Sequence, residues 1–234
     1  MISWLSFLVR MVRHNMKIIF ARRFGWFVLV AVLVFLLIAG ISVYDGTLVE
    51  TPFLYGALIL PGILLLFYPT VFGIQNDEDA GVLETLFGIP NYRYKVWGVR
   101  LVMIYVIVFL LMLALGGLAW LVLYHLPVWR VTVQVMYPLF FIGMLGFMLS
   151  TWLRSGTATA VVLVVLGLGI FLLSSQMLHS FWNVFLNPFQ VPRRMNEELW
   201  HLVVVKNRIF LVTGGILFLL TGLLNLQRRE RFIR

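Results

Sequence analysis

Six stretches of this chain, residues 25–43, 53–74, 101–123, 133–153, 157–175 and 209–226, contain no Asp, Glu, Lys, Arg or His. A helix needs about 20 apolar residues to cross the hydrocarbon of a bilayer, and each run meets or approaches that length. One such run could be a buried hairpin of a soluble protein. Six of them, in a chain that is 62% hydrophobic and only 12% charged, leave no polar surface for a water-soluble fold. The expected fold class is therefore all-α: a polytopic membrane protein with six transmembrane helices, residues 1–234 forming a single transmembrane domain. The fourth and fifth runs are separated only by "RSGT", a tight turn around Arg154 that makes them a hairpin.

Orientation follows from the basic residues, which favour the cytoplasmic side. An even number of spans places both termini on one side. Thirteen of the eighteen Lys and Arg fall on that side and five on the other. The expectation is a multi-pass protein of the cell inner or plasma membrane with cytoplasmic N- and C-termini. Its net charge of +9 then serves anionic-lipid anchoring rather than nucleic-acid binding. Residues 1–23 are interrupted by charge and lack a small-residue cleavage site, so no cleavable signal peptide is expected.

Residues 1–23 instead read as an interfacial helix. Ser3, Ser6, Arg10, Arg13 and Lys17 recur at helical spacing on one face, and Trp4, Leu5, Leu8, Met11, Val12 and Ile19 fill the other. On the opposite side of the membrane, residues 176–206 are amphipathic and aromatic, and are broken by Asn187-Pro188 and Pro192. Asn196 is placed to cap a helix whose first turn is acidic, with Glu197 and Glu198. The segment predicts two short outer helices that rest on or partly re-enter the leaflet. Re-entrant backbone needs protein cover, which points to a second copy.

Four of the nine carboxylates sit together in "NDEDAGVLETLFGIPNYRYK", residues 76–95. Asp77 is a candidate helix cap, with Glu78 and Asp79 in its first turn. Val82, Leu83, Leu86 and Phe87 form an apolar stripe, Gly88 is a stop, and Pro90 prevents resumption. The spacing predicts a helix of roughly three turns within residues 76–90, lying along the membrane between the second and third spans.

The run Glu78-x-x-Gly81-Val82-Leu83-Glu84-x-Leu86, followed by Pro90-x-x-Arg93, resembles the signature of ABC type-2 exporter permeases. The chain departs from that pattern at Val82, where Thr is usual, and at Tyr92, where Ser is usual. Six spans, a basic N-terminal helix and short outer helices before the last span extend the resemblance across the chain. It implies that the acidic element is a coupling helix seated in a cytoplasmic ABC ATPase through Asp77, Glu78, Gly81, Leu83, Glu84, Leu86, Phe87, Pro90 and Arg93. The interfacial helix with Arg10, Arg13 and Lys17 would pack alongside. ATP and Mg would be bound by that partner and no cofactor by this chain, and a second permease chain, a homodimer mate or a paralogue, would complete the unit. In such permeases the second and fifth spans face the partner chain, which makes Tyr55, Tyr68, Phe72 and Thr159 candidates for the translocation path. An apolar path of this kind suits a hydrophobic or amphipathic cargo.

The chain has no G-x-x-x-x-G-K-[ST] phosphate loop and so cannot draw on ATP itself. No enzyme activity is expected either. There is no cysteine, and His14, His125, His179 and His201 lie at least 22 residues apart. The competing functions are an ion-coupled secondary transporter and a non-transporting membrane scaffold. Apolar runs free of ionisable residues argue against proton coupling, while Pro61 and Pro69 could unwind the second span for sodium. Gly143, Gly146, Ser150, Gly156 and Ala160 are positions at which helices can approach closely within one chain.

Overall fold

The computed structural model describes residues 24–44, 50–79, 81, 93–123, 126–193 and 195–226. Among them are seven α-helices and no strand: α1 (Phe24–Tyr44), α2 (Thr51–Val71), the short α3 (Gly73–Asp79), α4 (Val99–Leu123), α5 (Val128–Leu153), α6 (Gly156–Gln176) and α7 (Glu197–Asn225). A π-helical turn, Arg93–Gly98, leads into α4. With α2 and α3 taken together as Thr51–Asp79, six helical segments are long and apolar enough to cross a membrane. Each coincides with one of the six uncharged runs to within two residues or extends beyond it.

The centre of the bundle is α5, which packs against α2 and α7 and also touches α4 and α6. Every residue from Phe141 to Thr151 is buried. In lipid no hydrophobic force pulls one apolar helix against another, so close contact depends on small residues and on polar stitching. Both are concentrated here. A methyl group added at Gly143 would collide with the Tyr105 hydroxyl, and one at Gly146 would lie 3.2 Å from the Thr70 hydroxyl. On α7, Gly214, Gly215 and Gly222 lie against Phe141, Phe140 and Phe147 of α5. Ser150 donates to the Val71 carbonyl at 2.9 Å, Tyr105 to the Phe140 carbonyl at 3.2 Å, and Asn225 to the Thr151 carbonyl at 2.6 Å.

The turn between α5 and α6 forms as the sequence suggests. Arg154 closes α5 in the left-handed region at φ 54°, and Ser155 caps α6 by accepting from the Ala158 amide. The Gly156 amide donates to Gln75 Oε1 at 2.6 Å, tying the hairpin to α3. Apart from Gly156, Thr159 and Leu163, which follow at helical spacing, α6 is not buried. The second span continues past its prolines. Pro61 and Pro69 stay inside α2, and the chain bends at Phe72 before entering α3 while Phe72 and Asn76 keep their backbone bonds to Tyr68 and Phe72.

Two expectations for residues 176–206 change. The first outer helix is absent: residues 178–189 form a succession of turns at Leu178–His179, Phe181–Trp182, Val184–Phe185 and Pro188–Phe189. Asn183 and Asn187 direct two of these turns by accepting from the Phe185 and Phe189 amides, the side-chain turn chemistry that competes with helix. The second outer helix is not separate. Asn196 occupies the cap position, without a side-chain bond, and Glu197 begins a helix that runs without interruption to Asn225. At 1.5 Å per residue that helix is about 43 Å long, more than the hydrocarbon needs. Nothing between Glu197 and Ile209 breaks a helix, so a polar stretch alone does not end one.

The packing predicts that Gly143→Ala lowers stability by about 1–3 kcal/mol through overpacking against Tyr105. Gly167→Ala, where an added methyl meets nothing within 4 Å, should be neutral or slightly stabilising. Thermal unfolding of both variants in detergent checks this, and equal shifts would refute the packing argument.

Candidate functional site

Charge is buried at both ends of the bundle, and neither site is visible in the uncharged runs. At the end where α3 meets α4, Asp77 and Arg100 form a two-pronged ion pair with Nη1–Oδ2 at 2.6 Å and Nη2–Oδ1 at 3.1 Å. The two side chains are 2% and 4% exposed. The guanidinium also lies 4.8 Å from the centre of the Trp97 ring, which packs on Phe147 of α5. Such a pair is held only where geometry is good, because each charge alone would be costly in this surrounding.

This overturns the expected role of Asp77 as a cap. It lies inside α3, and its carboxylate serves Arg100 instead. Of the helix expected within residues 76–90, only residues 76–79 and 81 are among the described residues, and α3 ends at Asp79. Gly81 has φ +64° and its amide bonds back to the Glu78 carbonyl at 2.9 Å, the geometry of a helix ending. Glu78 is exposed just before that ending. Arg93 opens the π-helical turn. Leu83, Glu84, Leu86, Phe87 and Pro90 lie outside the described residues, as does the N-terminal helix with Arg10, Arg13 and Lys17. The ion pair nevertheless closes the base of the whole connection, since its two members stand just before and just after it.

At the other end, Arg208 is 7% exposed within α7. It donates through Nε to Gln134 Oε1 at 2.9 Å, through Nη1 to Asn207 Oδ1 at 2.9 Å and through Nη2 to the Leu186 carbonyl at 3.5 Å. Asn207 in turn donates to the carbonyls of Phe181 and Asn183, both at 2.8 Å. The same irregular segment is held by Tyr55, whose hydroxyl reaches the Leu186 carbonyl at 3.0 Å, and by Asn187, which reaches the Pro52 carbonyl at 2.8 Å. Non-helical backbone at a membrane needs such partners. Asn207 and Arg208 were set aside by bounding the last run at Ile209. The available signal was the spacing of Trp200, Asn207, Leu211, Gly215 and Gly222, all buried on one face of α7.

Three of the four candidate path residues are buried within the chain, and the fourth, Phe72, is half-buried. Tyr55 and Thr159 are 0% exposed and Tyr68 4%. Tyr55 is bound to Leu186, Thr159 donates to the Ser155 carbonyl, and Tyr68 packs between Phe27 and Phe72 while accepting from Asn76 Nδ2. Phe72 is half-buried and lies against Gly156. For Tyr55 and Tyr68 the cause is the position of α2, enclosed by α1, α4 and α5.

Among the described residues no group of three or more His, Asp and Glu is placed to hold a metal ion. No protein-family model, curated protein or solved structure matches this chain.

Removing one member of the Asp77–Arg100 pair should be far worse than removing both. Asp77→Asn leaves a buried guanidinium uncompensated, at about 3–5 kcal/mol. The double variant Asp77→Asn with Arg100→Met should regain much of that loss in thermal unfolding. A double variant as unstable as the single one would show that the pair is not what the site depends on.

Proposed function

We propose that this chain is the transmembrane permease subunit of an ABC exporter, coupled through residues 78–93 to ATP hydrolysis by a separate cytoplasmic ATPase. The observation that carries the proposal is the Asp77–Arg100 pair at the base of the connection bearing the permease-like motif. A surface loop that only joins two spans has no need of a buried, doubly bonded ion pair. A loop that receives a push does, because force on it must reach both helices without being lost in the connection. Asp77 is continuous with the second span and Arg100 with the third. Movement of the loop therefore shifts the two spans as one body, and Trp97 and Phe147 carry that shift to α5.

The distribution of Lys and Arg favours a cytoplasmic location for this loop and both termini in an inner or plasma membrane. The broad apolar face of α6, with Val161, Val165, Leu168 and Phe171 each more than half exposed, suits either lipid or a second permease chain. A hydrophobic or amphipathic cargo fits the absence of charge from those surfaces.

The test is co-purification of the detergent-solubilised chain from its native host, with the bound protein identified by mass spectrometry. Wild type should retain an ATPase carrying a G-x-x-x-x-G-K-[ST] loop. Glu84→Arg and Leu86→Asp should each lose it, while Ser180→Arg at the opposite end of the bundle should keep it. Retention by both loop variants, or no ATPase with the wild type, would overturn the proposal.

A further inference from the structure

Beside Arg208 lies a cleft of about 670 Å3 between α5, α7 and the turns that precede α7. Arg208 differs from Arg100 in one decisive respect. Arg100 has a carboxylate. Arg208 has only neutral acceptors, and no carboxylate lies within ion-pair distance of it among the described residues. A positive charge at this degree of burial is expensive without a counter-charge. Its remaining contacts are the faces of two neutral rings, Tyr137 at 5.3 Å and Tyr55 at 6.0 Å from the guanidinium carbon, which add no full negative charge.

The surroundings add a second cation and a polar anchor. Arg130, one helical turn before Gln134 on α5, also lines the cleft. It is exposed, with its guanidinium 6.0 Å from the centre of the Phe189 ring. The acidic group on the wall, Glu197, belongs to the first turn of α7, eleven residues and so about 16 Å along the axis from Arg208. Arg208 and Arg130 thus put two positive charges on the wall of the cleft, and its negative charge sits at the first turn of α7.

The cleft also continues into an apolar face. Val205, Ile209 and Val212 line it, and Ile216 follows at the same helical spacing. Val205, Ile209 and Ile216 are 40%, 61% and 44% exposed, on a helix long and apolar enough to span a bilayer. A small soluble anion would use the cations and leave this stripe unused. A molecule with an anionic head and an apolar tail uses both.

We propose that this cleft is a head-group site for an anionic phospholipid. Its phosphate lies at Arg208 and Arg130, and one acyl chain runs along Val205, Ile209, Val212 and Ile216. The lipid enters from the bilayer itself and supplies the counter-charge that Arg208 lacks. The site is independent of the coupling proposal, since it lies at the opposite end of the bundle and involves no ATPase.

Native mass spectrometry of the purified full chain in an uncharged detergent tests the site with dioleoyl phosphatidylglycerol, dioleoyl phosphatidylcholine and inorganic phosphate as probes. Phosphatidylglycerol should remain bound at one molecule per chain, phosphatidylcholine should be lost more readily, and inorganic phosphate should not displace the anionic lipid. Arg208→Gln should weaken phosphatidylglycerol binding by roughly tenfold or more, as expected for loss of a charge-assisted contact. Because Arg208 also supports the fold, Arg130→Gln carries the test alone: Arg130 makes no hydrogen bond within the described chain, and its loss should weaken the lipid while leaving the unfolding temperature unchanged. Equal retention of the two lipids, unchanged binding by Arg130→Gln, or displacement by inorganic phosphate would each overturn the assignment.

Discussion

Hydrocarbon gives apolar helices no reason to prefer one another over lipid, and the packing of α5 is this protein's answer to that constraint. Glycines let neighbouring helices come close enough for dispersion contacts to add up. Hydroxyls and amides then bond to carbonyls of adjacent helices, as Ser150 does to Val71 and Asn225 to Thr151. With α5 held on both sides by α2 and α7, the remaining helices need little burial. In α1, α4 and α6 it is confined to stripes such as Phe24, Ala31, Phe35 and Ser42, and the rest of each surface is left for lipid.

The same medium makes each buried charge a problem with few solutions, and the two ends of the bundle adopt different ones. Asp77 and Arg100 neutralise each other and tie two spans together at the base of one connection. Arg208 is surrounded by carbonyl and amide oxygens, which organise the turns over that end of the bundle but do not cancel its charge. A closed pair suits a joint that transmits movement as a unit. A half-satisfied cation suits a place where something arrives from outside. That contrast connects the two functional proposals to one physical cause, although they stand on separate residues.

Several side chains carry different work from what their position in the sequence suggests. Asp77 stands at the head of an acidic cluster with turn residues behind it, which is the pattern of a helix cap. Its carboxylate is claimed by a residue 23 positions away. Tyr55 and Thr159 lie on apolar spans, where a hydroxyl reads as a lining group, yet each is spent on a carbonyl within the chain. In each case a partner distant in sequence, or the helix's own backbone, offers a polar atom that lipid does not.

The number and location of the membrane-length helices were legible in the sequence, because a run of uncharged residues long enough to span hydrocarbon has few other folds open to it. The turn at Arg154 and Ser155 was legible for a similar reason: too few residues separate the two runs for anything longer. Which face of each helix is buried was not legible. A helix that is apolar all round has no hydrophobic stripe to read, so the buried lines on α1, α4 and α6 are set only by contact with neighbours. Nor were the ends of the helices. Arg100, Asn207 and Arg208 looked like boundaries because hydrocarbon rejects them, and tertiary structure made them interior by bringing Asp77, Gln134 and the turns around Leu186 within hydrogen-bonding distance.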